Sequence, residues 1–303
     1  MDELIYKIKN LNSPIVVGLD TRLCHIPNYI QNEVIKKYGN TQKAAAEAIV
    51  FFNKKILDEI KNVVPAIKLQ LACYEAYGAQ GIMALCETAK YAKENGFYVI
   101  FDGKRNDIQS SMQAYSDAYL GETELFKGKK EKVFCCDSLT VNGYLGTDSI
   151  KVVLKDCIKF NKTIFVLLKT SNPSSYEIQD EKNKEGKTIY QKMGQLCEQL
   201  AKETVGEFGY GKIGAVVGAT HKKELKQLRE NFLNTFFLVP GYGAQKATAD
   251  DVSVAFKNGI GAIINSSRKV LTAWQKEGEK EENFAVAAKK EAEEMRREIV
   301  SKI

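Results

Sequence analysis

Short apolar runs alternate along the chain with longer amphipathic ones. The apolar runs cover residues 15–19, 66–69, 98–101, 133–141, 163–168, 213–217, 236–239 and 262–264. They are rich in β-branched and aromatic residues with little internal alternation, the pattern of strands buried on both faces. Helical periodicity fills 42–61, 72–95, 109–126, 147–159, 189–207, 222–230, 247–257 and 285–303. Such strand–helix alternation predicts an α/β fold with a parallel sheet, and eight units close into a single (β/α)8 barrel, the TIM-barrel architecture. No linker or composition shift interrupts 1–303, so one domain is expected. A polar stretch at 172–187 (NPSSYEIQDEKNKEGK) follows the fifth strand. It reads equally as a solvated loop or as a cover, because strand-to-helix loops line the catalytic face of these barrels.

Composition narrows the chemistry. No run approaches the roughly 20 apolar residues that span a bilayer, and the opening MDELIYKIKN lacks the apolar stretch of a signal peptide. A cytoplasmic location and no membrane partner are expected. The seven cysteines (24, 73, 86, 135, 136, 157 and 197) are odd in number and form no Cys-x-x-Cys pair, so they read as buried reduced thiols. His25 and His221 are the only histidines, too few for an easy zinc site or histidine-centred triad. The net charge of +6 comes from lysines interleaved with acids along the helices, a solvated surface rather than a nucleic-acid face.

In such a barrel the strands' carboxyl ends carry function. The polar residues there are Asp20, Lys68, Asp102 with Lys104, Asn142, Lys169 to Ser171, Thr220, Gln245, and Ser267 with Arg268. The densest block is 101–108 (FDGKRNDI). Asp102 and Lys104 are two apart and share a side of extended chain, Asp107 lies beyond, and Lys68 comes from the neighbouring strand. A generic Asp-x-Lys pair is more often a structural ion pair; its place at a strand end favours chemistry here. Lys104 between two carboxylates would stay protonated, ready to stabilise a carbanion and give it a proton. Asp102 beside a substrate carboxylate would repel it by roughly 4 kcal/mol at about 4 Å and an effective dielectric near 20. The outline is decarboxylation or proton exchange at carbon. Residues 240–245 (PGYGAQ) and 265–268 (NSSR) follow the seventh and eighth strands, the usual phosphate site of these barrels. Hydroxyls in 168–173 (LKTSNP) could read a planar base, although by residue type alone the segment reads as a turn.

Gly18-Leu19-Asp20, Lys68, the Asp102/Lys104/Asp107 block and the 240–245 loop together resemble the orotidine 5'-phosphate decarboxylase family, over roughly Asp20 to Arg268. GLDTR at 18–22, KTSNP at 169–173 and PGYGAQ point to its longer branch. The resemblance implies conversion of orotidine 5'-phosphate to uridine 5'-phosphate in de novo pyrimidine biosynthesis, with no metal or organic cofactor. It implies a charged tetrad of Lys68, Asp102, Lys104 and Asp107, with Lys104 protonating carbon 6 and Asp102 against the substrate carboxylate. Asp20 and Lys68 would hold the ribose, Ser171 would read the pyrimidine, and Gln245 would span phosphate and base. Arg268, with Ser267 beside it, would hold the phosphate. Asp107, Ile108 and Ser111 match a segment that enters the partner's site, which implies a homodimer. Ser111 stands where threonine is frequent and Asn142 where many members have histidine. Two alternatives remain. One is a magnesium-dependent sugar-phosphate decarboxylase or hexulose-phosphate synthase, which places glutamate where this chain has Lys68. The other is a catalytically silent nucleotide-binding barrel.

Overall fold

The computed structural model describes residues 1–243, 247–276 and 279–303. Eight parallel strands close into a barrel: β1 Ile15–Gly18, β2 Ala66–Gln70, β3 Tyr98–Arg105, β4 Ser138–Val141, β5 Thr163–Lys169, β6 Ile213–Val217, β7 Phe237–Pro240 and β8 Ala262–Ser266. Each pairs with its sequence neighbours, and β8 returns to β1 through Val16↔Asn265. One hydrophobic layer lies between the strands and the surrounding helices. A second fills the barrel itself, where Val16, Ala66, Ile100, Phe165, Val216 and Ile263 meet Leu4, Ile5 and Ile8 of the N-terminal helix Asp2–Leu11. That helix therefore plugs the amino end of the barrel.

The alternation that points Ala66 inward also points Lys68 and Gln70 inward, and that of Tyr98 and Ile100 continues to Asp102. Register brings these positions level: Gly18 pairs with Lys68, and Gln70 with Asp102. The barrel interior thus changes from hydrocarbon to charge toward its carboxyl end.

Several boundaries differ from the sequence reading. The helix expected over 72–95 is two, Leu71–Glu75 and Gly78–Glu94. The helix expected over 109–126 stops at Tyr119, and an antiparallel hairpin follows, Thr123–Glu124 with Lys130–Glu131. The strand expected over 133–141 begins only at Ser138. The reason is Asp137, whose buried carboxylate accepts from the Val99 amide at 2.9 Å and from Lys93 and Lys162, so the chain turns there. The 247–257 helix shrinks to short turns at Ala249–Val252 and Ser253–Ala255. Helices without a predicted counterpart appear among the described residues, the longest being Asp2–Leu11 and Asn28–Tyr38. The polar segment after β5 folds into the turns Pro173–Ser175 and Tyr176–Gln179, closed by a bridge between Lys182 and Thr188. Among the described residues no helix is long and apolar enough to cross a membrane. All seven cysteines are free, but only Cys136, Cys157 and Cys197 are buried, whereas Cys24 and Cys135 are exposed; the uniform burial expected of them is corrected. Burial pushes the Cys157 and Cys197 thiols up to about 12.

Candidate active site

A cavity of about 730 Å³ opens at the carboxyl end of the barrel, lined by Asp20, Lys68, Asp102, Lys104, Ser171, Ser267 and Arg268, among others. Its floor is a chain of alternating charges. Lys68 Nζ lies 2.9 Å from Asp20 Oδ1 and 3.0 Å from Asp102 Oδ2, and Lys104 Nζ lies 2.7 Å from Asp102 Oδ1. Two neutral donors complete the shell of Asp102: Thr140 Oγ1 donates to Oδ1 at 2.8 Å and Gln70 Nε2 to Oδ2 at 3.1 Å. The Asp102 side chain is only 11% exposed. Burial alone would favour its neutral form, but the Lys68 and Lys104 ammoniums outweigh that and hold the carboxyl well below the usual range. Burial likewise opposes the Lys68 ammonium, and Asp102 and Asp20 more than offset it, so Lys68 is held above the ordinary lysine range.

Lys104 owes its direction to the backbone. Strand pairing between β3 and β4 shifts register between Phe101 and Arg105, and Lys104 sits at φ 48°, in the left-handed region. For a residue with a side chain that conformation costs roughly 1–2 kcal/mol. The Lys104 amide donates to Thr140 Oγ1 at 2.9 Å. One hydroxyl therefore fixes both the backbone of the lysine and the carboxylate it contacts.

The expected clasp of Lys104 between two carboxylates is not formed within the chain. Lys68 occupies the position between two anions, and Asp102 lies between two ammoniums. Asp107 is turned away: its Oδ1 accepts from the Ile108 amide at 2.7 Å, and it does not line the cavity. Ile108, 65% exposed, lies on a separate surface groove with Gln113 and Lys151, and Ser111 is exposed. Lys169 is also turned away. A register irregularity between Leu167 and Lys169 rotates it out of the barrel, where its buried ammonium meets Asp180 at 2.7 Å and Ser175 at 3.4 Å. Asn142 caps a turn, accepting from the Tyr144 amide at 2.9 Å, and neither it nor Thr220 lines the cavity.

Ser267 reaches the cavity because Gly18 faces it: a Cβ at position 18 would stand 1.9 Å from the Ser267 hydroxyl. Asn265 Nδ2 donates to Ser267 Oγ at 3.3 Å. Arg268 opens the short helix Arg268–Leu271 at the rim. Gln245 lies outside the described residues. Gln70, Thr140 and His25, which the sequence reading did not assign to the site, also line the cavity, beside Arg22 of the GLDTR motif and Tyr242 and Asn265 of the two loops expected there. Gln70 was findable, two residues beyond Lys68 on the same inward face. Among the described residues no group of three or more His, Cys, Asp or Glu is placed to hold a metal ion.

Charged side chains converging at the carboxyl ends of a closed parallel barrel define an enzyme of the (β/α)8 class. The orotidine 5'-phosphate decarboxylase / HUMPS family matches residues 15–282. An orotidine 5'-phosphate decarboxylase of Caldicellulosiruptor saccharolyticus is 42% identical over 279 residues, covering 90% of each chain. One of Clostridium acetobutylicum is 39% identical over 285 residues, 94% of this chain and 93% of that protein. In structure, the OMP decarboxylase of Leishmania donovani superposes with a TM-score of 0.72 at 26% identity, over 98% of this chain and 97% of that one. The chain belongs to the orotidine 5'-phosphate decarboxylase / HUMPS family.

Proposed function

We propose that this enzyme decarboxylates orotidine 5'-phosphate to uridine 5'-phosphate in pyrimidine biosynthesis, with its own side chains and no metal or organic cofactor. The observation that carries the reading is the Asp102 carboxylate fixed between two ammoniums, at 3.0 and 2.7 Å, on the cavity floor. A substrate carboxylate set against Asp102 is repelled, and the repulsion counts toward catalysis only as far as it is relieved in the transition state. The bond from carbon 6 to the carboxylate carbon breaks, its electron pair stays on carbon 6, and carbon dioxide leaves. Lys104 Nζ, beside the developing charge, stabilises that pair and transfers a proton to it. Asp20 and Lys68 hold the ribose hydroxyls, Ser171 reads the pyrimidine edge, and Arg268 with Ser267 anchors the phosphate. Gln245 is assigned by the family pattern to span phosphate and base.

Asp107, Ile108 and Ser111 do not line the cavity of their own chain, and Ile108 and Ser111 are exposed. This supports a homodimer in which they complete the neighbouring subunit's site, and the proposed location is the cytoplasm. A magnesium-dependent sugar-phosphate reaction is disfavoured by the donor set, since the Lys68 ammonium stands where such enzymes place a carboxylate. The test is to follow pyrimidine absorbance on adding orotidine 5'-phosphate, with and without a chelator. Chelator-insensitive turnover is expected. Binding without turnover, or turnover abolished by the chelator, refutes the proposal.

A further inference from the structure

The cavity end around Arg268 is walled by two stretches, one after β7 that includes Gly241 and Tyr242, the other Ser267–Arg268 after β8. Behind both runs the C-terminal helix Phe284–Val300. Its Glu291 does not line the cavity, and its side chain is 2% exposed. Two ammoniums converge on this carboxylate: Lys269 lies 2.6 Å from Oε1 and Lys276 lies 2.5 Å from Oε2. Burial disfavours the Glu291 anion, but the two lysines outweigh it and hold the carboxyl below its usual range.

Lys269 is the neighbour of Arg268, and its stem crosses to the other wall. A Cβ built on Gly243 would come within 2.6 Å of Lys269 Cδ, and Gly243 itself adopts φ +71°, so the lysine stem occupies space that only a glycine leaves. Lys269 Nζ also lies 5.8 Å from the centroid of the Tyr242 ring. Tyr242 in turn donates its hydroxyl to Glu298, two helical turns beyond Glu291, and its carbonyl accepts from Ser266 at 3.5 Å. The two walls therefore touch each other through Lys269, and that side chain is fixed by a carboxylate outside the cavity.

We propose that Glu291 is a positioning residue for the phosphate end: through Lys269 it sets the Arg268 turn against the Tyr242–Gly243 loop, so that both walls meet a phosphate together. The inference rests on the proposed placing of the phosphate at Arg268. Without the Glu291 charge, Lys269 and Lys276 repel each other, Lys269 swings toward solvent, and the loop loses the stem packed against Gly243. The loss falls on the phosphate and spares the base and ribose, which bind elsewhere.

The experiment is calorimetric titration of the full chain and its Glu291→Gln variant with uridine 5'-phosphate and with uridine. Affinity for the phosphate is expected to weaken by about tenfold, the scale of a sub-ångström displacement of a binding group, while uridine affinity stays within about twofold. In turnover KM rises by a similar factor, with kcat within about threefold, the signature of binding lost equally from ground and transition states. Lys269→Met should reproduce the effect, and the double variant should bind no more weakly than either single one, because both delete the same link. Equal weakening for both ligands, additive losses, or no change overturns the proposal. If Glu291→Gln does not fold, Lys269→Met decides alone, an unchanged ratio of the two affinities being the refuting result. A parent protein that prefers uridine 5'-phosphate over uridine without decarboxylating orotidine 5'-phosphate refutes the proposed reaction and leaves this inference standing. No preference for the phosphate refutes its placing, and this inference with it.

Discussion

Replacing Thr140 by valine keeps the shape of a fully buried side chain and deletes one hydroxyl. That hydroxyl donates to Asp102 Oδ1 at 2.8 Å and accepts the Lys104 amide at 2.9 Å. The bond to a charged acceptor contributes about 1.5–3 kcal/mol and the amide bond about 0.5–1.5 kcal/mol. The expected destabilisation is thus about 3 kcal/mol. Unfolding entropy of about 2.1 cal/mol/K per residue gives roughly 0.6 kcal/mol/K for 303 residues. The melting temperature should therefore fall by about 5 °C. Catalysis should suffer more. Lys104 at φ 48° is held in a costly conformation by this bond; released, its backbone relaxes and the ammonium leaves Asp102. A misplacement near 1 Å lowers kcat by about a hundredfold, with little change in KM. Thermal melts and the pyrimidine absorbance assay read the two effects, and Thr140→Ser, which keeps the hydroxyl, should stay within about threefold of the parent. Unaltered melting and turnover in Thr140→Val would refute the reasoning. Equal impairment in serine and valine variants would shift the cause to the lost methyl packing.

Three further outcomes are expected. Lys104→Ala and Asp107→Ala should each abolish turnover as homodimers, with uridine 5'-phosphate still bound by the former. Unfolding and refolding the two together should restore roughly a quarter of the parental activity, since half the dimers are mixed and each mixed dimer has one intact site; no recovery would refute shared sites. Asp180→Asn leaves the Lys169 ammonium, 2% exposed, without its counter-charge, whereas Lys169→Met leaves a half-exposed, solvated Asp180. The asparagine variant should be the less stable of the two in urea by about 1–3 kcal/mol, a buried-pair loss discounted for that solvation, and the reverse order would contradict this account of the Lys169–Asp180 pair. Asp102 titrates in the folded chain below its unfolded value, so its contribution is fully present above about pH 4 and is lost as pH falls through the folded value. The stability gap between the parent and Asp102→Asn should narrow on acidification below about pH 4; a gap constant with pH would show that the charge is not responsible.

The barrel was legible because its strands are buried on both faces, which leaves β-branched runs with no alternation to confuse with a helix. Asp20, Lys68, Asp102 and Lys104 followed from position, since a polar residue at the end of such a run has only the barrel mouth to face. What failed to show were departures from strict alternation. By parity Lys169 should point inward with Phe165 and Leu167, but the irregularity after Leu167 turns it toward Asp180. The shift between Phe101 and Arg105 aims Lys104 through a left-handed residue that no propensity announces. Thr140 was hidden inside a strand drawn too long, whose true start is set by the long-range bonds of Asp137. The turning away of Asp107 depends on a local bond to the next amide, which competes with the tetrad and leaves no trace in spacing.

The two lysines that touch Asp102 differ in a way that decides which can serve as proton donor. Asp20, Lys68, Asp102 and Lys104 sum to zero charge, so the empty floor is balanced, and a substrate carboxylate makes it net negative beside Asp102. In the proposed reaction, once carbon dioxide has left and the carbanion has taken a proton, the lysine that gave it is neutral and must be recharged from water before the next cycle. Lys68 is poorly suited to both steps. Asp102 and Asp20 hold its proton above the ordinary lysine range, and at 4% exposure it meets far less water than Lys104 does. Within its own chain Lys104 touches one carboxylate, and at 44% exposure in the open cavity it can be refilled between turnovers. In the proposed reaction the same floor thus suits two identical side chains to different work: Lys68, wedged between Asp20 and Asp102, to holding Asp102 in place, and Lys104 to carrying the proton.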